Sequence, residues 1–347
     1  MEERGTGGRR RLAVIGACLA LVLLAAACDA LVGDYTGDRK ADQVYFDTTN
    51  GNWYETGDAA PLYTSSTTDL RVAGDYNGDL KWEPAVLRGT TWTSSALSAP
   101  IDYDPAGLPA GPPGNPAGTA SAPLTLLPVP GDYDGTGRTV PAYYDQVDGT
   151  WWIMGHDAPV QFGVPPVAGG NLGYDVPVPA DYDGDGKTDI AVYRPTDGSF
   201  HYLSSKTGLE VEVTPTVPAS DPAVIPVPAN YDGGNHAEAA VTEPSGENWY
   251  VAGHASSIAT FDTAGISDPY LPAMADYDGT GKAQPALLDD ANDQLWLAGR
   301  SRPPIANVIS YRYEPTVLPE AVIVNIVRLV LYAECRAGTG SFPPGTC

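Results

Sequence analysis

Apolar and polar residues alternate in short blocks along this chain, and one block is written out more fully than the rest. Val176-Pro177-Val178-Pro179-Ala180 runs into Asp181-Tyr182-Asp183-Gly184-Asp185-Gly186-Lys187-Thr188-Asp189, and Ile190-Ala191-Val192-Tyr193 follows. The β-branched and aromatic flanks are strand formers, so the block predicts strand, acidic loop, strand. Worn copies carry an equivalent tyrosine at Tyr35, Tyr76, Tyr133, Tyr182, Tyr231 and Tyr277, at intervals of 41, 57, 49, 49 and 46 residues. A second aromatic, Trp53, Trp92, Trp151, Phe200, Trp249 or Trp296, lies 16 to 19 residues after each tyrosine. Asn50-Gly51, Asp148-Gly149, Asp197-Gly198 and Ser245-Gly246 supply hairpin turns between the two. A weaker fourth strand is visible at Glu210 to Thr214 and at Val160 to Phe162.

Four strands recurring at this period describe the blades of an all-β propeller rather than a helical solenoid. Six blades fit between Ala30 and about Tyr313, with a seventh only if the tail after Tyr313 contributes one. The long second interval is explained by the aperiodic Pro/Gly/Ala tract Asp104 to Ala122, read as a surface loop. Because the recurring Trp and Phe share one structural phase, they are read as inter-blade core rather than a sugar-stacking platform.

The loop spacing adds chemistry. Asp181, Asp183, Asp185 and Asp189 occupy loop positions 1, 3, 5 and 9, which resembles the first nine positions of an EF-hand loop. Carboxylates packed this closely repel by about 4 kcal/mol per pair at 4 Å and an effective dielectric near 20, and a divalent cation relieves that. Net charge changes the list of partners: at −24 over 347 residues, direct binding to nucleic acid or to an anionic membrane surface is disfavoured. The composition of 39 Gly, 33 Pro and 20 Tyr suits many short strands and turns.

Taken with Val160-Gln161-Phe162-Gly163 ahead of it, the Val176 to Tyr193 segment resembles the FG-GAP (VCBS) repeat. That resemblance implies an integrin-α-like propeller with calcium held between the first two strands of a blade, and covers the chain to about residue 300. Carried over residue by residue, it implies ligands Asp34, Thr36, Asp38 and Asp42 in the first loop, Asp75, Asn77, Asp79 and Glu83 in the second, and Asp181, Asp183, Asp185 and Asp189 in the fourth. The third loop has Val140 at position 9, the fifth Gly234 at position 5, and the sixth Gln284 at position 9. In those three, a turn held by Asp and Asn hydrogen bonds is the competing reading.

Residues 1–27 read as a signal peptide: Arg9 to Arg11 form the basic region, Leu12 to Leu24 the apolar region, and Ala25-Ala26-Ala27-Cys28 the cleavage site. The segment looks like a bacterial lipoprotein signal with Cys28 as the lipidated residue, although Ala25 stands where such sites usually carry Leu; plain secretion is the alternative. The propeller then spans 28–315 and a C-terminal extension 316–347. That extension holds a nearly continuous apolar stretch, Ala321 to Ala333, read as helix or buried strand, and Cys335 with Cys347 as the disulfide expected in an oxidising compartment. No nucleophile motif, zinc spacing or phosphate loop is present, and His156, His201, His236 and His254 are scattered singly. The expectation is therefore a monomeric, exported, calcium-stabilised propeller, lipid-anchored at the cell surface, that binds a glycan or a cell-surface protein. The variable connections Asp104 to Ala122 and Pro165 to Asp175 are its expected contact surface. A polysaccharide lyase or glycoside hydrolase on the same scaffold is the alternative.

Overall fold

The computed structural model describes residues 28–47, 49–55, 58–106, 108, 126–164, 175–218, 224–243, 248–261, 270–289, 294–298 and 313–315. The signal segment, most of the Asp104 to Ala122 tract, and the extension with Cys335 and Cys347 lie outside them, as does Ser245-Gly246. The described residues contain strands and no helix.

Six sheets follow one another along the chain. Blade 1 is β1 (Cys28–Gly33), β2 (Asp42–Asp47), β3 (Asn52–Glu55) and β4 (Tyr63–Thr64); blade 2 is β5 (Leu70–Arg71), β6 (Ala85–Arg88), β7 (Thr91–Ser94) and β8 (Ile101–Asp102). Blade 3 is β9 (Leu126–Pro128), β10 (Ala142–Asp145), β11 (Thr150–Ile153) and β12 (Val160–Gln161); blade 4 is β13 (Val176–Pro177), β14 (Ile190–Arg194), β15 (Ser199–Leu203) and β16 (Glu210–Val213). Blade 5 is β17 (Ile225–Pro226), β18 (Ala240–Thr242), β19 (Asn248–Val251) and β20 (Ala259–Thr260); blade 6 is β21 (Tyr270–Pro272), β22 (Ala286–Asp289) and β23 (Gln294–Leu297). Each is an antiparallel meander, as four-residue hairpins demand: Asp145 pairs with Thr150, and Gly149 closes the turn at φ 76°, where a side chain would be strained.

Period-2 alternation sends successive side chains of a strand into different inter-blade cores. On β10, Tyr143 joins Trp92 and Leu87 of blade 2, whereas Tyr144 joins Ile190 and Val192 of blade 4. Trp53, Trp92, Trp151, Phe200 and Trp249 are all buried, as the sequence predicts, and Trp296 is half-buried. They pack against neighbouring rings, for example Tyr144 on Trp151 at 4.8 Å and Tyr193 on Phe200 at 5.1 Å between centroids.

The innermost strand of a blade has no sheet neighbour toward the axis, and an open edge with free N–H groups invites pairing with another chain. Proline removes that donor, and it recurs along the inner strands: Pro128 and Pro130, Pro177 and Pro179, Pro226 and Pro228. Blade 1 instead pairs this edge. β24 (Tyr313–Pro315) lies parallel to β1, with Cys28 opposite Tyr313 and Ala30 opposite Pro315. The last described strand thus belongs to the first sheet, and Cys28 itself stands in that sheet, paired with Asp47 on its other side.

Hydrogen bonds between the acidic loops close the ring. The position-8 amide of each loop donates to the position-1 carbonyl of the preceding loop: Trp82 to Asp34 at 2.7 Å, Thr139 to Asp75 at 2.6 Å and Thr188 to Asp132 at 2.8 Å. Ala237 reaches Asp181 at 2.6 Å, Ala283 reaches Asn230 at 2.6 Å, and Ala41 returns to Asp276 at 2.7 Å. The sixth bond joins the last loop to the first, so these blades form a closed circle.

Side-chain volume follows the same joints. A β-carbon on Gly74 would come 2.7 Å from Thr139 Oγ1, and one on Gly131 would come 3.0 Å from Thr188 Cγ2; Gly33 lies equally close under Trp82. At the other three joints the residue before the loop is Ala180, Ala229 or Ala275, and position 8 of the next loop is Ala237, Ala283 or Ala41. Glycine faces a large residue, and alanine faces alanine.

Candidate functional site

All six acidic loops connect the first strand of a blade to the second, so the ring brings them to one end of the propeller. Their geometry starts at position 1. Asp181 Oδ1 accepts the amides of Gly184 at 2.7 Å and Asp185 at 3.2 Å, and its Oδ2 accepts Gly186 at 2.9 Å. Asp34, Asp75, Asp132 and Asp276 hold the same turns in their own loops. Position 9 reaches back across the loop to the position-2 amide: Asp42 to Tyr35, Glu83 to Tyr76 and Asp189 to Tyr182, at 2.7 to 2.9 Å. The tyrosine at position 2 is buried and donates its hydroxyl four residues back, from Tyr182 to the Val178 carbonyl at 2.7 Å. Tyr76, Tyr133, Tyr231 and Tyr277 do likewise at 2.6 to 2.7 Å. Tyr35 is the exception, with a buried hydroxyl that takes no partner.

The structure separates the loops that the sequence treats alike. In the fourth, oxygens of Asp181, Asp183 and Asp189 lie within 4.8 Å of one another; in the second, Asp75, Asp79 and Glu83 do so. Among the described residues the first loop makes no such cluster; Asp42 accepts the amides of Tyr35 and Thr36, and Asp38 that of Lys40. Thr36 only approaches Asp42, at 3.4 Å. Asn77 Oδ1 accepts the Asp79 amide and its Nδ2 faces Asp79 Oδ2 at 3.2 Å. Asp185 stands outside the fourth cluster and accepts the Lys187 amide at 2.9 Å.

Charge confined in these loops shows in the carboxyl groups. Burial, reinforced by Asp75 and Asp79, pushes Glu83 up to about 7 despite its bond from Tyr76. Asp189, fully buried, is raised for the same first reason, with Asp183 adding to it. The sixth loop answers its charge differently. Gln284 accepts the Tyr277 amide with its oxygen at 2.7 Å and donates its Nε2 to Asp278 at 3.0 Å, so an amide proton already faces the carboxylate.

The fourth loop has a cover that the nine-residue motif does not contain. From the turn between β15 and β16, Ser204 Oγ donates to Asp183 Oδ2 at 2.6 Å, and the Ser205 amide donates to Asp189 Oδ1 at 2.7 Å. Ser205 Oγ reaches Asp185 at 3.0 Å. The only trace in sequence is the polar run Ser204 to Gly208, which a motif search does not read. Each carboxylate oxygen has more than one acceptor site, so Asp181 Oδ2, Asp183 Oδ1 and both oxygens of Asp189, with one bond apiece, keep a lone pair for a cation. The donor set is all oxygen, which suits calcium.

His201, read as solitary in the sequence, lies 2.8 Å from Ser199 Oγ and 3.0 Å from Glu210 Oε1. This has the outline of a nucleophile with its base, but Arg194 NH1 also meets His201 Nε2 at 2.9 Å. A guanidinium only donates, so Nε2 accepts from it and the Nδ1 proton points to Glu210. The lone pair that would take a serine proton is used, and Ser199 is 1% exposed. Arg194 in turn pairs with Asp175 at 3.1 and 3.2 Å, and Asp175 is fully buried. Asp175 is therefore part of the blade core, which corrects its place in the expected contact surface Pro165 to Asp175; residues 165–174 lie outside those described.

No family model matches the chain, and no curated protein matches it. Solved structures resemble it in shape at low identity. An Agrocybe aegerita lectin, solved for its recognition of non-reducing terminal N-acetylglucosamine, aligns at 14% identity and TM-score 0.46 over 76% of this chain and 75% of that one. The Photorhabdus luminescens Tc holotoxin pore aligns at 17% identity and TM-score 0.47, over 78% of this chain and 14% of that one. BBS1N, from a complex with ARL6DN, aligns at 13% identity and TM-score 0.42, over 82% and 94%. The propeller assignment rests on the sheets and the closed ring of loops.

Proposed function

We propose that the protein is a calcium-stabilised binding propeller of the FG-GAP type, which holds its ligand without turning it over. One observation carries this reading: the second and fourth loops each converge three carboxylates to within 4.8 Å at the same point of the repeat. Charges that close cost several kcal/mol together unless neutralised, and among the described residues no basic side chain bonds to either trio. The second and fourth loops are the first sites to fill, and the first loop, with Asp34, Asp38 and Asp42, is a weaker third. A glycan or a cell-surface protein is the ligand class that a surface-displayed propeller with no catalytic constellation among its described residues would serve. Display at the cell surface through a lipid on Cys28 belongs to the same reading; with Cys28 already in β1, the anchored propeller would sit flush against the membrane.

Thermal melting with chelator and with added calcium tests the metal. Each site at a calcium concentration 100 times its Kd contributes about 2.7 kcal/mol, so chelation should lower the melting temperature by several degrees and calcium should restore it. Asp189→Asn and Glu83→Gln should each remove part of that difference, and Gln284→Ala should remove none. Equal melting with and without chelator would refute the assignment.

A further inference from the structure

Resting on the reading of this protein as a binding propeller, we propose that the axial cavity lined by blades 2 to 6 is a binding site for one neutral pyranose unit. The cavity measures about 370 Å³ and is walled by Pro130, Pro177, Pro179, Pro228 and Met274. That is near the small end of ordinary ligand pockets, about 300 to 1,000 Å³, and suits a single ring. Its loop-side rim carries Trp82, Thr139 and Thr188, the position-8 residues of three successive loops.

Those three side chains define the chemistry. Trp82 is half-buried, and its ring meets Tyr35 edge-on at 6.2 Å; no other loop has an aromatic at position 8. The Thr139 hydroxyl has no hydrogen-bond partner among the described residues. The Thr188 hydroxyl accepts the Asp132 amide at 3.0 Å and keeps its own proton to donate. A sugar ring offers an apolar C–H face to indole and proline and hydroxyls that both give and take hydrogen bonds. A purely apolar ligand would bury the Thr139 hydroxyl without a partner and the Thr188 proton without an acceptor.

Charge narrows the class further. Arg71 lines the cavity but donates to the Asp69 carbonyl at 3.3 Å and stacks on Phe46 at 5.1 Å. Asp132, also on the wall, spends its carboxylate on the amides of Gly135, Thr136 and Gly137. The acidic loops around the rim repel anions, which sets the site against charged sugars.

Saturation-transfer NMR on the full chain, with methyl glycosides of neutral hexoses and N-acetylhexosamines and with the matching uronic acids, tests the site. At least one neutral glycoside should bind in the millimolar range and the uronic acids should not. Thr139→Val keeps shape and removes a hydroxyl that the fold does not use, so it should leave melting unchanged and weaken binding about fivefold to tenfold. Met274→Trp should fill the cavity and abolish binding. Absence of binding by any neutral glycoside, equal binding of uronic acids, or an affinity unchanged in Thr139→Val would overturn the proposal. A chain that bound an immobilised glycan equally well in wild type and both variants would overturn the pocket and leave the binding-propeller reading standing.

Discussion

Two tyrosines at the same loop position should respond in opposite ways to the loss of one oxygen. Tyr182 is 6% exposed, and its hydroxyl is the partner of the Val178 carbonyl at 2.7 Å. Tyr182→Phe keeps the ring and its stacking on Tyr202, but strands that carbonyl in the interior. Leaving one buried acceptor unpaired costs about 1–3 kcal/mol. At roughly 2 °C per kcal/mol for a domain of this size, the melting temperature should fall by about 2–6 °C. Tyr76→Phe and Tyr133→Phe should match it, since their bonds to Val72 and Val129 are equivalent. Tyr35→Phe removes a hydroxyl that is buried with no partner, so it should be neutral or slightly stabilising. The assay is urea unfolding of the four variants at one fixed calcium concentration, read as midpoint shifts with unchanged slope. A Tyr35→Phe midpoint that falls as far as that of Tyr182→Phe would refute the hydrogen-bond account.

Asp175→Ala should cost about 3–5 kcal/mol, because it leaves the partly buried Arg194 guanidinium without its carboxylate; circular dichroism melts measure it. Gly131→Ala should lower the urea midpoint and Thr188→Ala should restore part of it in the double variant, since the added methyl meets Thr188 at 3.0 Å but also the Tyr133 ring at 3.1 Å, and the Asp132 amide loses its Thr188 acceptor. The pH dependence of the metal-free protein should carry the mark of Glu83. Its folded pKa, about 7, lies above the ordinary carboxylate value of 4.5, so its contribution to stability is present below the lower value and lost as pH rises through about 7. Melts in chelator across that window should slope downward, and Glu83→Gln should flatten them. Calcium needs the ionised carboxylate, so its stabilising effect should grow over the same window, as melts with added calcium would show.

The parts of this fold set by local pattern were legible from residues alone. The run from Val176 to Tyr193 announces strand, loop and strand, and the spacing from Tyr182 to Phe200 places the next strand, because both depend on local backbone preference and burial. Contacts outside the motif, within a blade as well as between blades, were not legible. Nothing in the motif says that Ser204 and Ser205 fold over Asp183 and Asp189, that Asp175 is buried against Arg194, or that Tyr313 to Pro315 returns to the first sheet. Those contacts join residues that local pattern does not link, and each is satisfied by ordinary polar residues with no signature. The loop motif also overstated likeness: Asp42 and Asp189 share a position, yet only the latter converges with two other carboxylates.

The two kinds of joint give the circle an internal order. Where glycine lies beneath Trp82, Thr139 or Thr188, a neighbour bearing alanine would leave a hole; where Ala180, Ala229 or Ala275 precedes the loop, a neighbour bearing threonine or tryptophan would collide. A blade moved between the halves of the ring meets the wrong volume on at least one side. Circular permutation, which opens the chain elsewhere and preserves every neighbour, leaves all six matches intact. The half of the ring to which a blade belongs is thus specified by side-chain volume at the loop end, and a blade exchanged between the halves would be rejected there.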